Sequence, residues 1–319
     1  MTQRQRVLIT GASGHVGGRL FRELSSRPEV DTRALLRIPQ RLPTWASTSE
    51  IFYGDLTSPS VQASVLQDTD VVVHLATRGF SAIETPTPTE AAIEYESTLA
   101  LAKRGITLGL PRFIFVSSIH VFGSALGGVV HDASPTNPES VYGSSRLKIE
   151  DDLLTAAAET STEIVIVRMT NSFGTPALPR PATWTLLLHD MCRQVIERST
   201  ITLRSDDRTC RDMIALRDAI QVLGEVISSP HISTGRYLLA SGQTMTIRAL
   251  AELVQTHVAE LFGFRPAIIS SQTSNAPPSH FSLESRRLRE AGIVIPNRRD
   301  DEIRELLMSA AREFEASRQ

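Results

Sequence analysis

The chain has 319 residues, 41% hydrophobic and 21% charged, and its 33 Lys and Arg against 35 Asp and Glu leave a net charge of -2. That length can bury a large core as one α/β domain or two smaller ones, and the charge balance gives no basic field for a nucleic-acid partner. No run approaches the roughly 20 apolar residues of a membrane span, the start MTQRQRVLIT lacks a secretory core, and Cys192 and Cys210 are too few for a disulfide framework or a zinc site. The expectation is a soluble cytoplasmic protein that binds a small molecule, holds no metal and carries two ordinary thiols.

In chain order, Val7 to Thr10 reads as a short buried strand, and Gly11, Gly14 and Gly17 follow before an amphipathic run begins. Gly11 permits a tight turn, Gly14 lets backbone approach a pyrophosphate, and Gly17 lets helix pack on strand. Phosphates would take the N–H groups of this turn and helix start, where Ser13, His15 and Val16 also lie. Asp31 to Arg37 reads as the second strand. About 20 residues past such a loop an acidic residue would receive the adenosine ribose hydroxyls, but here the residue is Arg37, with Arg33 and Arg41 nearby and Asp31 at the strand's other end. A guanidinium matches the oxygens of a 2′-phosphate. NADP(H) is therefore expected ahead of NAD(H), the alternative for Arg37 being a solvated strand end.

Ile51 to Asp55 gives a third strand, with Asp55 able to bond the adenine amino group and Leu56 beside it. Val71 to Ala76, nearly all apolar, suits a central parallel strand buried on both faces. Its end, Leu75, Ala76 and Thr77, is expected to line the cofactor cleft, with Arg78 on the substrate side. Glu90 to Arg104 suits a helix, and RFIFVSS after Pro111 suits the next strand. Sustained alternation of strand and helix implies an α/β fold with a doubly wound parallel sheet and ligands beyond the carboxyl ends of its strands.

VSSIHVFG, 116 to 123, then ends a strand with two hydroxyls at the cleft, and Tyr142 follows in VYGSSRLKIE. The order GASGHVG, GDL, HLA, SSIHVFG, YGSSR resembles the extended short-chain dehydrogenase/reductases, a family of nucleotide-sugar epimerases, dehydratases and ketoreductases, over nearly the whole chain. VRMTNSFGTP resembles the segment beside the nicotinamide, which implicates Met169 and Asn171, the latter also toward substrate; RDMIALRDA resembles the substrate-domain return. The resemblance implies a Rossmann domain over 1–172 with a return at about 211–240, a smaller substrate domain from 173–210 and 241–319, and a homodimer.

In that family a serine, a tyrosine and a lysine four residues after the tyrosine do the chemistry, so the resemblance assigns Ser118 and Tyr142. The phenol gives or takes the alcohol proton while hydride moves to or from the nicotinamide, and the serine orients the carbonyl oxygen. A free phenol ionises near pH ~10, so the mechanism needs a cation beside it. Four residues on stands Arg146, not lysine. It shares the helix face of Tyr142, whereas Lys148 points about 120° away. Arg146 offers charge and a bond to the nicotinamide ribose but cannot lend a proton as an ammonium does.

His120 stands where the resembling dehydratases carry glutamate and the epimerase-reductases cysteine, so it is a candidate acid, base or substrate contact; a polar residue near the cleft is the alternative. Arg211 suits a diphosphate clamp or a surface salt bridge. Farther along, the pattern predicts a helix through LKIEDDLLTAAAE, a strand TEIVIVRM, breaks at Pro176, Pro179 and Pro181, and a helix over 183–197. It continues with a strand Tyr237–Ala240, a helix capped by Thr246 through Phe262, and a loop over the substrate mouth at 270–281. Arg286, Arg287 and Arg289 read as a solvated face, and 299–314 as a helix docked through Ile303, Leu306, Leu307 and Ala310. The expected activity is NADPH-dependent reduction of a keto group on a nucleotide-linked sugar. The alternatives are an epimerase or dehydratase with recycled cofactor, and a nucleotide-binding or redox-sensing member weakened by Arg146.

Overall fold

A computed structural model describes residues 4–78, 86–178, 181–270 and 280–314. The chain begins β1 (Gln5–Thr10), α1 (His15–Ser25), β2 (Val30–Leu36), β3 (Glu50–Tyr53), α2 (Pro59–Leu66), β4 (Val71–His74), α3 (Pro88–Thr107) and β5 (Arg112–Ser118). It continues β6 (Gly128–His131), α4 (Val141–Ala157), β7 (Glu163–Met169), β8 (Asn171–Phe173), α5 (Leu187–Arg198), β9 (Thr200–Leu203), β10 (Cys210–Ala215) and α6 (Leu216–Ser228). The remainder is β11 (Gly235–Leu239), β12 (Thr244–Thr246), α7 (Ile247–Phe262), β13 (Ala267–Ser270), β14 (Phe281–Glu284), α8 (Arg286–Glu290) and α9 (Arg299–Phe314). No helix among the described residues is long and apolar enough to cross a membrane.

Seven strands form one parallel sheet in the order β11-β7-β5-β4-β1-β2-β3. The chain winds outward from β1 through β2 and β3, then crosses back to β4 on the other side. That reversal opens a crevice at the carboxyl ends of β1 and β4, where ligands of such sheets bind. Every residue of β4 and β5 is buried, which is why these strands read as unbroken apolar runs. Val7, Ile9, Leu20, Phe21 and Leu24 pack one face of the sheet with α6, and Leu8, Val72, Phe113, Phe115, Ile149 and Leu153 pack the other. The hydrophobic contribution of each fully buried side chain is about 1.5–3 kcal/mol, so the two layers hold the crevice rigid.

A third apolar cluster lies away from the sheet, where Trp184, Leu188, Met191 and Val195 meet Leu250, Val254, Ile303, Leu306 and Leu307. Its last helix, α9, is tied to the layer of α1 and α6 by Glu302. This fully buried carboxylate accepts from Arg19 of α1 at 3.2 Å and from Arg217 of α6 at 2.5 Å. Cys192 and Cys210 are both buried and free, and burial pushes the Cys192 thiol up.

Several sequence expectations need correction. Within the stretch 211–240, β11 joins the main sheet, while β10 pairs with β8 and β12 in a separate three-stranded sheet. The helix expected from 183 begins at Leu187, because Pro181–Thr185 forms a tighter 3-10 turn and Leu186 is extended. Arg287 is not part of a solvated face: it donates to the Arg236 carbonyl at 3.0 Å and stacks over Tyr237 at 4.2 Å. Helix α3 starts two residues early because Thr87 and Glu90 close a capping box before it. The expected break at Pro179, and residues 271–279 of the mouth loop expected over 270–281, lie outside the described residues, while Ser270 ends β13 and Phe281 begins β14.

Candidate active site

The glycine turn is held by contacts that exclude side chains. Gly11 has φ +72°, and a Cβ there would stand 2.7 Å from the backbone of Leu75 and Ala76. At Gly17 a Cβ would stand 2.2 Å from the Gly11 carbonyl oxygen. Gly14 is the N-cap of α1 and donates to Gly11 at 2.8 Å; no side chain caps the helix, and its first turn carries no acidic residue. A helix start left open in this way suits a pyrophosphate, which accepts from first-turn N–H groups and meets the positive end of the helix dipole.

Two cavities flank this turn. One is bordered by Gly11, Ser13 and Gly14, by Arg37 at the end of β2, by Asp55 and Leu56 after β3, and by Leu75, Ala76, Thr77 and Arg78 after β4. The exposed Arg37 has no ion-pair or hydrogen-bond partner among the described residues. Arg33 does not stand beside it: buried further back along β2, it bonds Glu50 at 2.6 Å and Thr69 at 2.6 Å. Arg78 was expected among the substrate contacts, but its guanidinium lies here, 2.5 and 2.6 Å from the two oxygens of Asp55. Burial raises the Asp55 pKa, but bonds from the Thr57 N–H and Arg78 outweigh it, so this carboxyl stays below its usual range. Any ligand bond to Asp55 shares the carboxylate with Arg78.

The second cavity is bordered by Gly11, Gly14, His15, Val16 and Gly17, by Leu75 and Thr77, by Ser118, His120, Tyr142 and Arg146, and by Met169, Asn171 and Arg211. Ser118 ends β5, and its hydroxyl accepts from the His120 N–H at 3.3 Å. The neighbouring Ser117 also borders this cavity, and its hydroxyl donates to Glu150 at 2.6 Å. Tyr142 stands in the first turn of α4, whose N-cap Ser140 accepts from Gly143 at 3.0 Å. The His120 ring meets it edge-on, 5.8 Å between centroids. Burial, and then the charge of Arg211, lower the His120 pKa, so near neutrality this ring acts as an acceptor. Arg211 donates to the Cys210 carbonyl at 2.9 Å and pairs with no carboxylate among the described residues, which sets aside the surface salt bridge.

Arg146 is buried beneath Tyr142, its guanidinium 5.0 Å from the ring centroid, and the two side chains hydrogen-bond. It also meets Glu94 of α3 at 2.6 Å. Burial works against its charge, but Glu94 and then Tyr142 outweigh it and hold the proton. The buried Arg146 Nε has no hydrogen-bond partner among the described residues. Lys148, six residues past the tyrosine, points away and bonds Asp152 at 2.7 Å and Tyr95 at 2.8 Å. Glu94, His74 and Thr98 went unnoticed in the sequence. The signal for Glu94 was positional: with Ala91, Thr98, Leu101 and Ala102 it falls on the buried stripe of α3.

The doubly wound sheet, its glycine turn at the switch point and the hydroxyls grouped beside it define a dinucleotide-binding oxidoreductase of the extended short-chain type. Residues 7–237 match the NAD dependent epimerase/dehydratase family, and the chain belongs to it. It is 25% identical over 255 residues to UDP-glucose 4-epimerase of Vibrio cholerae, covering 78% of this chain and 74% of that protein. To uronate dehydrogenase of Pseudomonas putida it is 30% identical over 207 residues, 63% of this chain and 73% of that protein. Among solved structures, UDP-N-acetylglucosamine 4-epimerase from Methanobrevibacter ruminantium M1, in complex with UDP-N-acetylmuramic acid, superimposes with a TM-score of 0.83 at 16% identity over 100% of both chains.

Proposed function

We propose that this chain is a nicotinamide-dependent epimerase or dehydratase of a nucleotide-linked sugar that recycles its cofactor, rather than the net reductase expected from the sequence. The observation that carries the reading is one cavity bordered at once by the glycine turn and by Ser118, Tyr142 and Arg146. The start of α1, with no side-chain cap, would hold the pyrophosphate, and Arg146 Nε, buried and without a partner among the described residues, would take a ribose hydroxyl. A nicotinamide supplies reversible hydride transfer there. Tyr142 takes the proton from the reacting hydroxyl and later returns one, Ser118 holds the same oxygen, and the neutral ring of His120 accepts a substrate hydrogen bond or proton. Arg211, with no carboxylate partner among the described residues, receives the diphosphate.

The relatives that act on UDP-sugars favour this substrate class, and residues 173–210 with 241–319 would form the substrate lobe of a homodimer. Arg37 favours NADP(H) over NAD(H) through the 2′-phosphate. The test mixes purified protein with UDP- and dTDP-sugars and follows both cofactor absorbance and sugar stereochemistry. Interconversion without net cofactor use, abolished by Tyr142→Phe, is the expected result. Stoichiometric NADPH consumption would restore the reductase reading, and turnover unchanged in Tyr142→Phe would remove the phenol from its role. Tighter binding of NAD(H) than NADP(H) would end the preference assigned to Arg37.

A further inference from the structure

Glu94 has no role in the chemistry outlined above, yet it is 6% exposed and both of its oxygens are engaged at the site. Oε2 accepts from the Thr77 hydroxyl at 2.8 Å and from the Arg78 backbone N–H at 2.8 Å. Oε1 meets the Arg146 guanidinium at 2.6 Å. The segment after β4 thus fixes the carboxylate, and the carboxylate fixes the arginine. Arg146 in turn is 2% exposed, hydrogen-bonds Tyr142 and packs 5.1 Å from the Phe115 ring. A cation so placed keeps its charge only with a partner, because an isolated buried charge is costly.

We propose that Glu94 is the positioning residue that makes an arginine, in place of the family's lysine, the workable cation beneath Tyr142. The reason is geometric. A planar guanidinium carries five donors in a fixed fork, so it gives one edge to a fixed carboxylate while its face and another N–H remain with the phenol. An ammonium is a compact point charge, and with Glu94 held by Thr77 and Arg78 it would settle on the carboxylate and leave the tyrosine. The arginine and the glutamate therefore form a matched pair, and changing either alone leaves the other in the wrong place. This inference rests on the acid-base reading of Tyr142.

A double-mutant cycle tests it, with Glu94→Gln, Arg146→Lys and the pair measured for kcat, KM and cofactor dissociation constant. Each single variant is expected to lower kcat about ten- to a hundredfold while KM moves by no more than about threefold. In the paired variant the ammonium meets an amide instead of a carboxylate, and kcat is expected to return to within about threefold of the unmodified protein. Single losses that simply multiply in the pair would reduce Glu94 to a packing role and overturn the inference, as would an unaltered Glu94→Gln enzyme. Misfolding cannot imitate rescue, and thermal melting of each variant identifies it. Should the unmodified protein turn over no nucleotide sugar, the functional reading fails separately, and the cycle is then read on cofactor binding. Affinity lost in each single variant and regained in the pair would still support the pairing; affinity unchanged in the singles would sink it.

Discussion

His74 occupies the last position of β4, fully inside the sheet, with its two ring nitrogens 2.9 Å from Thr10 Oγ1 and 3.0 Å from Thr98 Oγ1. Burial first, and then the charge of Arg146, push its pKa down to about 3 from 6.5. The unfolded chain therefore binds this proton at a higher pH than the native one, and stability falls as pH drops below the unfolded value. From about pH 7 to about pH 5 the loss from this one residue is about 2 kcal/mol, with His189, lowered to about 4 by burial, adding in the same direction. Urea midpoints at the two pH values should show it, and His74→Asn, although weaker at neutrality, should show a flatter dependence; an equal slope in both proteins would refute it. Single residues were legible where their chemistry is set by chain position. Gly11, Gly17, Ser118 and Tyr142 all border the crevice as read. Arg33 misled because it shares a strand face with Arg37 but sits mid-strand, buried against Glu50, Gln67 and Thr69, and only the fold says how far along the strand the ligand crevice reaches. Arg146 announced a departure but not its cause, since Glu94 lies 52 residues earlier and meets it through tertiary packing alone.

Among the elements, α1 depends most on one contact. Gly17→Ala would push a methyl against the Gly11 carbonyl oxygen, where a Cβ stands at 2.2 Å. Overpacking of that kind costs about 1–3 kcal/mol, and by shifting the turn it should weaken cofactor binding as well. Gly18→Ala is the control, because its Cβ meets Ala12 at an ordinary 3.4 Å and the helix gains from losing a glycine. Calorimetry and cofactor titration of the two variants should separate them, and matching behaviour would refute the close-packing account. The long parallel strands were legible because burial on both faces leaves an unbroken apolar run. The short ones were not: β8 and β12 have three residues each, too few to show a period. The start of α5 was displaced because the prolines before it favour a 3-10 turn, which periodicity does not distinguish from a first helical turn.

At the scale of the whole molecule, the alternation of strands and helices was enough to give the doubly wound sheet, because few connections satisfy it. It did not give the packing of the third apolar cluster against that sheet, which rests on contacts between distant segments. Arg19, Glu302 and Arg217 make one buried ionic link among them, alongside Arg217–Glu305 and Arg298–Asp218, and removing one partner of a buried pair costs about 3–5 kcal/mol. The consequence is for how the molecule melts. Its two tryptophans sit on opposite sides of that link, Trp45 against Phe21 of α1 and Trp184 in the far cluster. Single-tryptophan proteins should report one shared transition, and a cofactor bound only at the glycine turn should raise it at both reporters alike. In Glu302→Ala the curves should separate, with Trp184 melting first and responding less to the ligand, the remaining response passing through the ring contacts His15–His189–Trp184; coincident curves in that variant would place the coupling elsewhere. By this account the carboxylate makes the far cluster, which meets the cavity only at its margin through Met213 and Leu187, a beneficiary of nucleotide binding, sharing in a stabilisation that arises mainly at the glycine turn.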